Sequence, residues 1–102
     1  MIDALHYEDF APHVNTKFRA RLGEAPVMEI ELISVEDKSP SPRQEQFVLT
    51  FVAPLEAPTQ QNLFNIEHEH LGEGVIFLVP IAKENRGVIY EAVFNRKREA
   101  AQ

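Results

Sequence analysis

No cysteine occurs anywhere in the 102 residues. That excludes a disulfide framework, a thiolate nucleophile and any zinc site built on thiolates. Tryptophan is absent as well, and there are four glycines. Of these, Gly72 and Gly74 flank a single Glu in what reads as a hairpin turn, not a phosphate-cradling loop. The longest apolar run, Val75 to Ala82, is far too short to span a bilayer. Met1-Ile2-Asp3 opens no basic segment followed by an apolar stretch, so a cytoplasmic protein with no signal peptide and no membrane association is the expectation. Basic charge is scarce: ten Lys and Arg stand against sixteen Asp and Glu, a net charge of −6. Such a surface repels phosphate backbones, and nucleic-acid binding is not expected. The one dense basic patch, Arg96-Lys97-Arg98, reads as part of a solvated terminal tail.

What is present is an ordinary globular balance, 44% hydrophobic and 25% charged, with seven Phe and two Tyr to fill a core. The length fits one domain, placed at residues 1–95, with 96–102 as a flexible polar tail. So small a domain gains from oligomerisation, and a homo-oligomer is compatible with the composition.

The only helical candidate is the start, Leu5 to Phe10, where Leu5 and Phe10 share a face. Pro12 disfavours helical geometry at Ala11 and limits its length. From Lys17 the period becomes two. Phe18, Ala20 and Leu22 alternate with Lys17, Arg19 and Arg21, the pattern of a half-buried strand. After a turn at Gly23–Pro26, Met28, Ile30 and Leu32 alternate with Glu29 and Glu31 up to about Val35. A hairpin of these two strands sets a basic face beside an acidic one.

Glu36 to Glu45, with Ser39-Pro40-Ser41-Pro42, reads as a mobile loop. A third strand carries Phe47, Leu49 and Phe51 on one face, and Ala53 to Asn62 connects onward. The fourth strand, Leu63 to His70, places Phe64, Ile66, His68 and His70 on one side. Val75 to Val79 is continuously apolar and is expected to be buried on both faces or covered by the N-terminal helix. Lys83 to Gly87 turns the chain, Asn85 or Gly87 being able to take a positive φ. The sixth strand then directs Val88, Tyr90, Ala92 and Phe94 one way. Six strands without crossover helices predict an all-β antiparallel fold, a small barrel or a two-sheet sandwich. Closure favours the barrel because it removes exposed edges.

Five stretches carry a resemblance: Phe10-Ala11-Pro12-His13-Val14-Asn15-Thr16-Lys17-Phe18-Arg19, Leu49-Thr50-Phe51, Glu67-His68 with Leu71-Gly72-Glu73, Phe77-Leu78-Val79-Pro80-Ile81, and Tyr90-Glu91-Ala92-Val93-Phe94-Asn95. Together they resemble a family of small bacterial domains of unknown function, over nearly the whole chain. The chain departs from that pattern at Glu69 and His70, where the family more often carries proline. The resemblance implies a genomic neighbourhood of phage tail-collar-domain proteins, hence a tail-like or surface-structure context. It implies no catalytic residues.

The sharpest chemical feature is His68-Glu69-His70. On a strand both imidazoles face one side, and a His-x-His strand with a nearby carboxylate suits Zn, Fe, Ni or Mn. Glu73 lies too close in sequence for the usual cupin spacing, and the glycines do not fall where that motif sets them. His6 and His13 lie far off in sequence. Nucleophilic catalysis has no support, since Ser34, Ser39 and Ser41 sit in no strand-to-helix elbow. Glu29, Glu31, Glu67 and Glu69 read as outward solubilising residues. Glu91, opposite the Tyr90 face, calls for an ion pair with Arg19 or Arg86 if it is buried. The leading expectation is a non-enzymatic structural or assembly module without cofactor, binding a protein partner of the tail-collar type. The alternative is a cupin-like barrel binding a metal or small molecule through His68 and His70.

Overall fold

The period-two segments pair into six strands, described with their flanking segments over residues 1–98 of a computed structural model. The strands are β1 (Lys17–Arg21), β2 (Met28–Asp37), β3 (Gln44–Ala53), β4 (Asn62–His68), β5 (Gly72–Glu84) and β6 (Gly87–Lys97). Their order is β1-β2-β3-β6-β5-β4, and β4 returns to β1 to close a barrel. Every neighbouring pair is antiparallel. The chain therefore forms two three-stranded meanders joined edge to edge, which leaves no unpaired edge strand.

Alternation decides which side chains go inside. Phe18, Ala20, Ile30, Leu32, Phe47, Leu49, Phe51, Phe64, Ile66, Ile76, Leu78, Val88, Tyr90 and Ala92 fill the interior. Phe18 meets Phe51 edge to face at 5.3 Å between ring centres, a geometry worth about 0.5–1.5 kcal/mol beyond burial. β2 and β5 bend at irregularities between Leu32 and Ser34 and between Pro80 and Ala82. Bulges of this kind curve a strand far enough to close a small barrel.

Each end of the barrel is covered by chain. The link from β3 to β4 crosses one end, where Ala57 is buried and the Tyr90 hydroxyl donates to the Pro58 carbonyl. Burial pushes the Tyr90 phenol up. At the other end lies an N-terminal cap: a 3₁₀ turn at Ile2–Ala4, the helix α1 (Tyr7–Phe10) and a second 3₁₀ turn at Ala11–His13. Phe10 is fully buried and packs on Phe47 and Phe94 at 5.9 and 5.8 Å. Ile2 is also fully buried, against β5 at Gly74. A Cβ at Gly74 would come within 2.6 Å of the Ile2 Cγ2, so glycine is what lets the cap seat there.

Several expectations are corrected. Ala11 takes helical geometry (φ −53°, ψ −40°), and Pro12 sits in the first turn of a new 3₁₀ segment, a place where its missing N–H has no partner to lose. β2 runs on to Asp37 and β3 begins at Gln44, so the loop is shorter than its Pro and Ser content implied and Glu45 belongs to a strand. Val75 and Phe77 are exposed, because the cap covers the barrel end and not the outer face of β5. Glu91 is half-buried in β6 and forms no ion pair among the described residues: Arg19 pairs with Glu67, and Arg86 with Glu84. The tail at 96–102 is corrected in part. Arg96 and Lys97 complete β6 opposite Glu45 and Gln44, and Arg98 is held by carboxylates; the remainder of that tail lies outside the described residues.

Candidate functional site

Two polar clusters form where the N-terminal cap meets the barrel. The first centres on Glu45. Alternation along β3 turns its carboxylate inward, in line with Phe47, and leaves it 1% exposed. A buried carboxylate must be paired and hydrogen-bonded. His6 Nδ1 lies 2.7 Å from Oε1, the Tyr7 N–H donates to Oε2 at 2.9 Å, and Arg98 binds Oε2. Arg96 approaches Oε1 at 3.6 Å while lying over the rings of Phe94 and Phe47, and it donates to the Leu5 carbonyl. Burial alone would push the Glu45 carboxyl up, but the hydrogen bonds from His6, Tyr7 and Arg98 outweigh it and hold it below the usual glutamate range. Every one of these partners belongs to the cap or to the end of β6. The cluster fastens α1 to the barrel.

The second cluster is made of histidines. β4 ends at His68, so His70 falls in the following turn and is exposed, in contrast to the expected strand reaching His70. The two rings still lie 5.9 Å apart, and His13 from the cap joins them at 4.8 Å from His68 and 5.9 Å from His70. His68 is buried at 5% exposure, its ring 4.3 Å from Phe18. Its hydrogen bonds fix the proton. The His70 backbone N–H donates to Nδ1 at 3.0 Å, which places a lone pair there. Nε2 therefore carries the hydrogen and donates to Thr16 Oγ1 at 3.0 Å. The Thr16 hydroxyl in turn donates to the His13 carbonyl at 2.7 Å. Burial pushes the His68 imidazole below the usual histidine range, and the nearby His13, His70 and Arg19 push the same way against Glu69.

The arrangement bears directly on metal ligation. A His ligand offers a ring lone pair, and the one lone pair of His68 is already engaged by the His70 amide. Among the described residues no group of three or more His, Asp or Glu is set to hold a metal ion. The sequence brought out His68 and His70, and left His13, 55 positions upstream of His68, able to approach only if the fold brought it round; the cap does so. Glu45 was missed altogether, placed in a loop by the Ser and Pro residues before it. The available signal was its phase: Glu45 stands two residues before Phe47 and so shares the inward side.

Outside the barrel, two grooves of about 350 Å³ each flank β1. One runs past Met1, Arg19, Glu67 and Val75, the other past Lys17, Glu31, Val52 and Arg86. Several of the charges in their walls are paired: Arg19 with Glu67, Lys17 with Glu31 and Arg86 with Glu84. Across the rest of the outer surface the character changes. Leu63 stands opposite Phe77, Asn65 opposite Val75, and Val48 opposite Val93. Leu63 and Val93 are each 59% exposed, Phe77 46% and Val75 42%. The exposed apolar side chains Leu63, Val75, Phe77 and Val93 thus lie on β4, β5 and β6, with charged residues toward the strand ends and Glu91 half-buried in β6.

The fold and its cap define a small closed β-barrel whose open end is stoppered by its own N-terminus. Residues 5–94 match the model of a family described as a domain of unknown function (DUF6916), and the chain belongs to that family. No curated protein and no solved structure matches the chain.

Proposed function

We propose that this barrel is a non-enzymatic assembly module that seats a protein partner on the outer face of β4, β5 and β6. The observation that carries the reading is the patch of Leu63, Val75, Phe77 and Val93. A monomer normally scatters its exposed apolar residues, whereas here Leu63 and Phe77 stand directly opposite each other, with Val75 two residues before Phe77 on the same face of β5. Depletion of charge at the centre with apolar and aromatic side chains enriched is the composition of an interface core. The polar clusters at the cap support the non-enzymatic part, since their groups bind chain to chain. The partner that fits is a protein presenting an apolar, charge-poor surface. The family resemblance offers a tail-collar-type protein as that partner, in a phage-tail-like or surface structure.

Co-expression with such a protein tests the reading. The wild-type chain is expected to co-purify with it, and the double variant Leu63→Lys with Phe77→Lys to lose it. Burying one such side chain is worth about 1.5–3 kcal/mol, so losing two weakens binding by at least about a hundredfold. Both residues point outward, so the barrel itself should keep its thermal midpoint. Failure of the wild-type protein to associate removes the proposed partner. Association that survives the double substitution removes the proposed face.

A further inference from the structure

We propose that His68 is an acid-sensitive latch between Thr16, at the end of the cap, and the β4–β5 turn, and that its protonation parts the two while Asn15 and Thr16 keep their backbone bonds to Leu32 of β2. Each hydrogen bond in the latch has a fixed direction. Thr16 Oγ1 gives its only hydrogen to the His13 carbonyl, so toward His68 it can act only as acceptor. The His70 N–H can act only as donor. The bridge from the cap, through Thr16 and the ring, to the β4–β5 turn therefore exists for one form of His68: neutral, with its hydrogen on Nε2.

A second proton has to go on Nδ1. There it faces the His70 N–H, an acceptor becomes a donor, and two donors confront each other. The new cation is also enclosed. From the cap, His13 lies edge-on at 4.8 Å; from β1, Phe18 covers the ring at 4.3 Å and Arg19 contributes positive charge. From the turn, His70 adds a further titratable ring, and Glu69 is the one acidic group that favours the charge. One carboxylate against Arg19 and two more imidazoles leaves the protonated ring with little to stabilise it in place. Its simplest relief is to swing into water, and that breaks the link to Thr16.

Both clusters weaken in acid. His68 is depressed relative to its unfolded value of about 6.5. Its contribution is complete above that value and is lost as pH falls through the folded one. Glu45 is likewise depressed, so its hold on α1 is complete above its ordinary value of about 4.3 and is lost only as pH falls through the folded one. With the His68 ring displaced, the β4–β5 turn is no longer tied to Thr16, while Asn15 and Thr16 stay paired with Leu32 of β2.

The test is amide hydrogen exchange on the full chain, read as protection factors near pH 7 and near pH 5, with the His68 ring followed by NMR over the same range. Protection at the His70 amide is expected to fall about tenfold or more as the His68 ring titrates, while the Leu32 amide and those of β3 and β6 keep theirs. In His68→Phe the His70 amide should be poorly protected at either pH. The double variant His13→Asn with His70→Asn keeps the latch, because those residues supply only backbone atoms to it. There the transition should persist and move to higher pH, since the two rings that push the His68 imidazole down are gone. If His68→Phe does not fold, this second variant still decides the matter. Unchanged protection while the His68 ring titrates, or the same loss of protection in His68→Phe, or a transition that vanishes in the double variant, would each overturn the latch.

Discussion

Replacing Glu45 by Ala should lower stability by about 3 kcal/mol, the typical loss when one partner of a buried ionic cluster is removed. For a domain of this size that is a fall of roughly 12–24 °C in the thermal midpoint. The cost lies in what is left behind. The Tyr7 N–H loses its acceptor, and Arg96 keeps its place over Phe94 and Phe47 with no carboxylate beside it. Arg98, more than a third exposed, can turn to water or to Glu8, so the figure stays below the upper end for wholly buried pairs. The loss should be pH-dependent with a definite sign. Because the folded pKa is depressed, wild-type stability rises with pH through the acid range and levels off above the unfolded value of about 4.3. Glu45→Ala should flatten that acid limb, leaving the two proteins closest in stability at the lowest pH. Urea titrations between about pH 3 and pH 7 measure this; a Glu45→Ala curve parallel to wild type would show that the carboxylate contributes nothing by its charge.

Gly87→Ala should be of similar size, again about 3 kcal/mol, by an unrelated mechanism. Gly87 opens β6 directly after the turn, with φ at +143°, a backbone region that side chains rarely enter. An added Cβ would collide with the Ala53 carbonyl oxygen where β3 runs alongside, and Val52 Cγ1 at 3.3 Å leaves no room to move. Backbone strain of about 1–3 kcal/mol adds to overpacking of about 1–3 kcal/mol. The collision involves a main-chain atom, so the hairpin has to shift bodily and the β3–β6 ladder with it. A denaturation midpoint for Gly87→Ala within experimental error of wild type would mean that the β5–β6 turn re-forms elsewhere at little cost.

These two residues mark where the sequence was legible and where it was not. The period-two pattern of Phe18, Ala20, Ile30, Leu32, Phe47, Leu49 and Phe51 predicted the inward faces, and each of those side chains is buried. Positive φ at Gly87 was also within reach, because a turn ahead of a strand asks for it. The misreadings have two physical sources. Composition stood in for geometry at Glu45 and at Arg96 and Arg98. A carboxylate near a Pro-rich loop and a basic terminal run both look solvated until the third dimension brings them together. Burial was also inferred from apolarity at Val75 and Phe77, where strand order decides instead. In a closed barrel with its cap over one end, the described residues leave Val75 and Phe77 on the outer face of β5 uncovered. That same error is informative, because an apolar run that remains exposed requires an explanation that packing does not supply.

For the candidate site, local spacing revealed His68 and His70 and their common neighbourhood. It could not reveal that β4 stops at His68, nor that Thr16 and the His70 amide use both ring nitrogens. A His-x-His strand and a His at a strand end read alike in one dimension; hydrogen-bond direction separates them.

The central claim, that the charge-poor outer face receives a protein partner, is tested most directly by methyl-labelled NMR of this chain titrated with a tail-collar-type protein. The account predicts shifts or broadening at the Leu63, Val75 and Val93 methyls, with Val27 and Leu55, exposed elsewhere on the surface, unaffected. Perturbation confined to Val27 and Leu55, or none at saturating partner, would contradict it.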